Sequence, residues 1–308
     1  MNMNMNNNTF QVHGVVTAMV TPFTTDSSLD IESLSRLAAW QSEKVDALFP
    51  MGTSGEGLLM TVEERIQALE EIVEAVNGHI PVIAHVGAIT TRESMQLASH
   101  AHAIGVSAVT AINPFYFRVS EEEQIEHLIM IAAAAEDTPF FLYNNPAAAG
   151  NSVTERVVKE VSERITNFAG IKDSSKSIPT LCQYRSLISE DKNLLVGGDR
   201  IFAQALPAGV QGAVSTISNI YPELFKGIYS AYVNNDEQSM QKKQQTVCDI
   251  LDILTSYPYY SAIKLMLEYR GIDMPPTYSR MPIGRISSEQ KNTLRNSLKE
   301  VKELEGLV

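Results

Sequence analysis

The sequence predicts an α/β fold, a (β/α)8 TIM barrel with a C-terminal α-helical extension, on three observations. From Gly14 onward, short β-branched or apolar runs alternate with longer amphipathic runs, which is the pattern of repeated βα units around a parallel sheet. Eight such apolar runs occur, and they are almost continuously apolar, as expected of strands covered on both faces. The residues after the eighth run carry helical patterning and no further strand.

The predicted strands follow one another at the spacing of βα units. A chain of 308 residues could hold two domains, but single α/β barrels reach roughly 250 residues as one unit. In chain order we expect strands at Val15–Val20, Ala47–Met51, Pro81–Val86, Ser107–Ile112, Phe140–Tyr143, Phe168–Ile171, Leu194–Val196 and Gly212–Ser215.

Helix start signals stand between these strands. Thr61 precedes Glu64 by three residues, and Ser120 precedes Glu123 by three, so each pair is expected to form a capping box. Apolar residues at helical spacing follow the first pair and predict one face buried against the sheet. These residues are Val62, Ile66, Leu69, Val73 and Val76.

The domain organisation follows from the same patterns. Residues 1–9 are expected to form a disordered tail, residues 10–220 the barrel, and residues 221–308 a helical region packed on it. No internal repeat or proline-rich linker marks a second independent domain. The C-terminal helices are predicted at residues 222–233, 236–256, 259–270 and 287–304.

Composition excludes several classes of partner. The net charge is −12, and no lysine or arginine cluster occurs, so neither nucleic acid nor an anionic membrane surface is an expected partner. No apolar run approaches the ~20 residues of a membrane span. The first residues lack the basic end and apolar core of a signal peptide, and Cys182 and Cys248 lack metal-ligand spacing. We expect a soluble, cytoplasmic protein with free thiols and no metal site.

The residue most suggestive of chemistry is Lys172, where the sixth apolar run turns polar. Burial at a strand end disfavours an ammonium and lowers a lysine pKa. The neutral amine is a nucleophile towards carbonyls and forms a Schiff base with a 2-oxo acid. The alternative is a lysine whose amine reaches solvent or pairs with Asp173.

Other unusual stretches also follow predicted strands. Gly52-Thr53-Ser54-Gly55-Glu56-Gly57 offers N–H groups and hydroxyls to a carboxylate. Asn113-Pro114-Phe115-Tyr116 follows strand four, and Tyr143-Asn144-Asn145-Pro146 ends strand five. The simpler explanation of the glycine-rich stretch is a tight turn, and that of the tyrosines is a core ring whose hydroxyl reaches solvent. However, a barrel brings all strand carboxyl ends to one rim, where catalytic groups lie.

These motifs resemble those of the dihydrodipicolinate synthase and N-acetylneuraminate lyase family of class I aldolases. The order and spacing of Gly-Thr-Ser-Gly-Glu, Tyr-Asn-x-Pro and Gly-Ile-Lys-Asp-Ser carry the resemblance, which runs from about Gly14 to the C-terminal helices. It implies a homotetramer in which Lys172 forms the imine and Tyr143 moves the proton. It also implies that Thr53 and Ser54, after Gly52, hold the substrate carboxylate, and that Tyr116 is lent to a neighbouring subunit.

The chain departs from that family in ways that bear on its substrate. Dihydrodipicolinate synthases have an arginine after Tyr-Asn-x-Pro-Gly, but this chain has Ala147-Ala148-Ala149 after Pro146. The sialic acid lyase branch has an acidic residue after Gly-x-Asp, where this chain has Asp199-Arg200. We expect Asp199 to bind hydroxyls. Arg200 either pairs with a distal carboxylate or faces solvent, and the loops around Ala147 and Thr216 are further candidates for substrate preference.

The resulting expectation is a Schiff-base-forming lyase or aldolase. It acts on a 2-oxo acid, with a 2-keto-3-deoxy sugar acid favoured, and releases pyruvate and an aldehyde without a metal or organic cofactor. The same imine also allows water elimination, or condensation of pyruvate with aspartate semialdehyde. A barrel that binds pyruvate without turnover is a more remote alternative.

Overall fold

Eight parallel strands close into a barrel in the computed structural model, which describes residues 10–272 and 275–301. In spatial order, neighbouring strands pair as second, first, eighth, seventh, sixth, fifth, fourth and third. A parallel bridge between Leu48 and Val82 closes the ring. The strands are β1 Gly14–Thr17, β2 Ala47–Leu48, β3 Ile83–His85, β4 Ala108–Ile112, β5 Phe140–Asn144, β6 Phe168–Asp173, β7 Asn193–Val196 and β8 Gly212–Ser215.

All eight predicted strands are confirmed, and the differences lie at their ends. β2 stops at Leu48 instead of continuing to Met51, which has a left-handed φ of 62° that an extended strand cannot hold. β5 and β6 run further than predicted, to Asn144 and Asp173. The two key side chains of the predicted site therefore lie within strands and not in loops.

Helices surround the barrel and continue after it. The two predicted capping boxes are confirmed, because Thr61 with Glu64 and Ser120 with Glu123 make both reciprocal bonds. The helices are α1 Ile31–Ser42, α2 Val62–Val76, α3 Thr91–Ala103, α4 Glu121–Ala134, α5 Pro146–Ala149, α6 Glu155–Arg164, α7 Ile178–Leu187, α8 Phe202–Ala205, α9 Pro222–Val233, α10 Glu237–Leu254, α11 Tyr259–Leu267 and α12 Ser288–Lys299.

The C-terminal helices contact the barrel and one another. α9 contacts β1, the position of the outer helix that follows an eighth strand, and α10 packs along α9. The division at residue 220 stays a prediction. The predicted tail at residues 1–9 and the predicted helical residues 302–304 lie outside the described residues, so they stay predictions as well. Within the described part of the chain, none of the helices combines the length and apolarity needed to cross a membrane.

The core has two layers because side chains alternate along each strand. One layer lies between the strands and the helices and includes Val15, Phe168 and Ile171. The other fills the barrel interior and includes Val16, Phe49 and Tyr143. A residue of the interior layer that is polar or charged must therefore find its partners inside the barrel.

Candidate active site

A bulge at Gly170 turns the Lys172 side chain into the barrel. Between Phe168 and Gly170 the pairing of β6 with β5 shifts by one residue. Without such a shift, Phe168 and Lys172 would lie on the same face, because side chains alternate. Phe168 instead faces the helices, while Lys172 contacts interior rings. Only glycine fits at the bulge, since a Cβ on Gly170 would lie 2.2 Å from the Asn193 carbonyl oxygen.

The Lys172 amine lies between two aromatic rings. Its Nζ is 3.7 Å from the ring centroid of Phe49 and 3.9 Å from that of Tyr143, and the residue is only 4% exposed. Gly197 leaves room for the lysine stem, because a Cβ there would lie 3.2 Å from Lys172 Cε. The amine is thus held in one place and largely out of water.

Burial lowers the pKa of Lys172, and the charges of Tyr143 and Asp199 oppose this only in part. More of the amine is therefore unprotonated near neutral pH than in a free lysine. The pairing with Asp173 considered above is not formed. Asp173 accepts hydrogen bonds from Asn144 Nδ2 at 2.7 Å and Ser175 Oγ at 2.6 Å instead.

Tyr143 lies beside Lys172 on the neighbouring strand. Its hydroxyl accepts a hydrogen bond from Asn145 Nδ2 at 3.0 Å and lies 3.5 Å from Thr53 Oγ1. Burial alone would raise the pKa of Tyr143, but the charge of Lys172 and the hydrogen bonds from Thr53, Ser174 and Asn145 outweigh it, so the pKa is lowered. A phenol with a lowered pKa exchanges its proton more readily near neutral pH.

Thr53 and Ser54 of the Gly52–Gly57 loop lie beside the same space as Lys172 and Tyr143. Among the residues that the structure describes, the backbone N–H groups of Thr53 and Ser54 have no acceptor. The Ser54 hydroxyl lies 2.6 Å from that of Thr216. Glu56, within the loop, has a left-handed φ of 55°, which is unfavourable and often found at functional sites. N–H and hydroxyl groups of this kind suit a carboxylate.

A buried ion pair fixes this loop to the C-terminal region. The Glu56 carboxylate accepts a hydrogen bond from the Lys264 ammonium, and both side chains are completely buried. Glu56 also accepts the Arg280 backbone N–H at 2.8 Å, and Lys264 donates to the Tyr278 carbonyl at 2.7 Å. Burial lowers the pKa of Lys264 to about 8, against the opposing effect of Glu56. The ammonium therefore remains mostly charged at pH 7.

Replacing Lys264 by methionine is expected to destabilise the protein by about 3–5 kcal/mol, because it leaves a buried carboxylate without its cation. Adding Glu56→Gln should restore part of that loss. The matched control is Arg156→Met, which removes an exposed pair with Glu122 and should cost at most ~1 kcal/mol. Urea unfolding measures all of these variants. Equal small losses for the buried and the exposed pair would show that the Glu56 pair does not hold the loop.

A histidine buried beside the Tyr143 ring is satisfied only when neutral. The Ile112 N–H donates to His85 Nε2 at 3.3 Å, and His85 Nδ1 lies 3.1 Å from the Met51 carbonyl oxygen. These partners require a proton on Nδ1 alone. Burial first, and then the charges of Arg65 and Lys172, hold the pKa of His85 well below its usual value.

Stability is therefore expected to fall as the pH drops below about 6.5, the usual histidine pKa. There the unfolded chain gains a proton that native His85 does not, which lowers the free energy of unfolding by ~1.4 kcal/mol per pH unit. Urea unfolding between pH 7.5 and 5 should give a smaller slope for His85→Gln. The exposed His79 provides the control His79→Gln, with a wild-type slope. Parallel slopes for all three proteins would contradict this origin.

A cavity of about 650 Å³ at the carboxyl ends of the strands is lined by Lys172, Tyr143 and the start of the Gly52–Gly57 loop. Its size suits a small organic acid. All the residues predicted for the site, except Tyr116, line it. They are Gly52, Thr53, Ser54, Tyr143, Lys172, Asp199, Arg200 and Thr216.

Asp199 lies on the cavity wall next to Thr216. Its carboxylate accepts the Ile217 N–H at 3.3 Å. Burial raises the pKa of Asp199 to about 6, although hydrogen bonds from Ser215, Ile217 and Thr216 act in the opposite direction. The group can therefore accept a hydrogen bond from a ligand hydroxyl, or give a proton, near neutral pH.

Arg200 lies at the rim of the cavity, and its guanidinium already forms an ion pair. Its side chain is 48% exposed, and its Nη2 lies 2.6 Å from Asp252 Oδ1 on α10. The guanidinium is thus directed to the helix surface, the second of the two arrangements considered from the sequence. A role of Arg200 in binding substrate stays a prediction.

Tyr116 lies outside the cavity of its own chain. It is 82% exposed and has a left-handed φ of 72°. Its ring meets that of Phe117, itself 63% exposed, edge to face at 4.9 Å. Two large aromatic side chains therefore face outward together, and the role of Tyr116 also stays a prediction.

Several lining residues were not anticipated from the sequence. Phe49 lies within predicted strand two, and Ser174 and Lys176 follow Lys172 in the sequence, but none of the three was predicted to be a site residue. Tyr259 and Tyr260 come from α11, and both line the cavity. No local motif marks the two tyrosines, since only the packing of the C-terminal helices brings them to the barrel mouth.

The fold and the site define a class of enzyme. A (β/α)8 barrel with a buried lysine amine, a tyrosine against it and a carboxylate-sized set of donors is a Schiff-base-forming lyase. The family model described as the dihydrodipicolinate synthetase family matches residues 11–301. The chain belongs to this family.

Individual relatives and solved structures agree with the family. The chain is 35% identical over 291 residues to a DapA-like lyase of Halobacterium salinarum, covering 94% of each. It is 33% identical to the N-acetylneuraminate lyase of Escherichia fergusonii, covering 90% of this chain and 93% of that protein. The sialic acid aldolase structure from Ruminococcus gnavus superposes with a TM-score of 0.91 at 25% identity, covering 96% of this chain and 98% of the other.

A further solved structure belongs to a synthase. The 4-hydroxy-tetrahydrodipicolinate synthase of Methylacidiphilum fumariolicum superposes with a TM-score of 0.87 at 27% identity, covering 96% of this chain and 98% of the other. Carbon–carbon lyases and synthases that share one fold are thus both similar to this chain. The chain is an enzyme of the lyase class, and its own substrate has to be argued from its own cavity.

Proposed function

We propose that this enzyme cleaves a 2-keto-3-deoxy sugar acid to pyruvate and an aldehyde through an imine on Lys172. The observation that carries the proposal is the position of the Lys172 amine, buried between Phe49 and Tyr143 with its pKa lowered. An amine so placed is a nucleophile towards a carbonyl.

The steps use groups already described. The N–H groups and hydroxyls of Thr53 and Ser54 bind the carboxylate, and the Lys172 amine attacks C2. Tyr143 gives its phenolic proton to the C2 oxygen, which leaves as water. The Tyr143 phenolate then takes the proton of the C4 hydroxyl, the C3–C4 bond breaks, and its electron pair moves into the protonated imine to give an enamine. The aldehyde leaves, C3 receives the proton held by Tyr143, and water hydrolyses the imine to pyruvate.

Water elimination is a second candidate, favoured by the position of Asp199. With its pKa raised to about 6, this carboxyl can protonate the C4 hydroxyl as it leaves as water, after the Tyr143 phenolate has taken a proton from C3 of the imine to give an enamine. The imine on Lys172 is common to both routes, so only the products distinguish them.

A panel assay with 2-keto-3-deoxy acids, scored for pyruvate release and water elimination in parallel, tests the function. Borohydride with pyruvate tests the imine, since a protein that only binds pyruvate need not be labelled. We expect release of pyruvate and labelling of Lys172. Elimination without pyruvate release would support the second candidate, and no labelling would refute both.

We also predict little or no condensation of pyruvate with aspartate semialdehyde. Dihydrodipicolinate synthases have an arginine after the Tyr-Asn-x-Pro motif that holds the second carboxylate. In this chain the residues after Pro146 are the alanines of α5. The measurement is consumption of aspartate semialdehyde beside pyruvate release from the panel. Condensation faster than cleavage would contradict the prediction.

We further propose a cytoplasmic homotetramer in which Tyr116 contacts a neighbouring subunit. The exposure of Tyr116 and Phe117 supports this, because large aromatic side chains on a surface often mark an interface. Sedimentation of the wild type and of Tyr116→Ser gives the assembly. A monomeric wild type would rule out the proposal.

A further inference from the structure

A second lysine, Lys176, lines the same cavity and has no role in the steps above. The residue is exposed at this cavity, and among the described residues its ammonium forms neither an ion pair nor a hydrogen bond, while its charge lowers the pKa of Asp199. The neighbouring cation Arg200 is instead paired with Asp252. Lys176 is therefore available to an anionic group of a ligand, whereas Arg200 would first have to leave its partner.

The position of Lys176 is set by its backbone and by a pair of glycines. It has a left-handed φ of 61°, uncommon for a residue with a side chain. A Cβ on Gly198 would lie 3.5 Å from Lys176 Cγ. Similarly, a Cβ on the preceding residue, Gly197, would lie 3.2 Å from Lys172 Cε. Consecutive Cα atoms are only ~3.8 Å apart, so the two lysine stems pass adjacent residues of one wall.

We propose that Lys176 binds a second anionic group at the far end of the substrate. The substrate class is then a 2-keto-3-deoxy acid whose terminal carbon carries a carboxylate or a phosphate. This inference rests on the proposed function, because the imine on Lys172 fixes where the ligand begins. Asp199, on the same wall, is left to bind the hydroxyls between the two charged ends.

Two further features favour an anion at this place. Lys176 directly precedes Ser177, the N-cap of α7, and the partial positive charge of a helix N-terminus stabilises anions nearby. An ammonium is also a compact charge that accepts either a carboxylate or a phosphate, without the planar geometry an arginine prefers. Lys176 therefore selects for charge and not for one shape of anion.

The test compares two ligands that differ only in their far end. 2-Oxoadipate ends in a carboxylate and 2-oxohexanoate in a methyl group, and each is trapped on the full chain with borohydride over a range of concentrations. We expect wild type to be half-labelled at a lower concentration of 2-oxoadipate. In Lys176→Asn that preference should fall roughly tenfold, as for the loss of a charge-assisted hydrogen bond.

The variants are chosen to separate charge from structure. Asparagine tolerates left-handed backbone better than most residues, and pyruvate trapping checks that the site of each variant is assembled. Lys176→Arg should keep most of the preference, and Lys226→Asn, on the exposed face of α9, should keep all of it. An unchanged ratio in Lys176→Asn, or a ratio lost in Arg200→Ala but not in Lys176→Asn, overturns the inference.

Failure of the imine on which this inference rests would look different, because then not even pyruvate would label Lys172 in the wild type, and cleavage replaced by water elimination would show as products without pyruvate while pyruvate still labels Lys172. The nature of the anion is decided by pyruvate release from 2-keto-3-deoxy acids ending in hydroxyl, carboxylate or phosphate. The substrate whose kcat/KM falls most in Lys176→Asn carries the group that Lys176 binds. Equal falls for all three would overturn the inference.

Discussion

Replacing Lys172 by arginine is expected to abolish both imine trapping and turnover. A guanidinium stays protonated and cannot attack a carbonyl, so the covalent step is lost and not merely slowed. The wild type treated with pyruvate and borohydride should gain one adduct per chain, located at Lys172 by peptide mass spectrometry. Because burial lowers the pKa of this lysine, trapping should rise with pH and level off below the usual lysine pKa of about 10.4.

Arginine is longer than lysine, and Gly197 lies close to the lysine stem. Lys172→Met therefore serves as a second variant that removes the amine at similar volume. Circular dichroism and urea unfolding check that both variants remain folded. Labelling at Lys176 or Lys264 in the wild type, or an adduct that survives in Lys172→Met, would assign the imine to another residue.

The strand that carries Lys172 could be predicted from the sequence, but the inward direction of the Lys172 side chain could not. The continuous apolar run 168–171 correctly predicted a strand buried on both faces. Strict alternation from Phe168 would have directed the Lys172 side chain outward to the helices, because residues four apart in a strand share a face. The bulge at Gly170 reverses this direction. Glycine is required there because the backbone of Asn193, on the neighbouring strand β7, comes too close for a side chain.

Charged residues at the cavity rim were harder to predict than those inside it. Lys172 and Tyr143 follow from the strand ends on which they lie, since parallel strands of a barrel share one rim. The orientation of Arg200 depends on Asp252, which comes from a helix 52 residues further along the chain. Nothing local to Arg200 specifies that partner, so both of its arrangements remained open until the packing of α10 was known.

The same limit applies to the support of the Gly52–Gly57 loop. Its glycines and hydroxyls predicted a ligand-binding turn, and the free N–H groups of Thr53 and Ser54 agree with that. The cation that neutralises Glu56 comes from α11, 208 residues away. A glutamate in a polar turn is usually solvated, so its burial could be recognised only once the C-terminal region was placed.

Tyr143→Phe is expected to lower the rate of cleavage by ~10²–10⁴ while reducing imine trapping by a smaller factor. Phenylalanine keeps the ring that lies 3.9 Å from Lys172 Nζ and its edge contact with Phe49. It removes only the hydroxyl, which in the proposed mechanism takes the C4 proton, and a positioned proton-transfer group contributes about this much. Single-turnover trapping and steady-state pyruvate release measure the two steps separately.

The hydroxyl of Tyr143 also accepts a hydrogen bond from Asn145, so its removal leaves that donor unpaired and carries some structural cost. Tyr229→Phe, which removes a hydroxyl on α9 outside the cavity, controls for the loss of a phenol as such. The proton-transfer role requires cleavage to fall far more than trapping in Tyr143→Phe alone. If both steps fall equally and by a small factor, Tyr143 acts only by packing against Lys172, and the C4 proton must go to another group of the cavity wall, with Asp199 the first to examine.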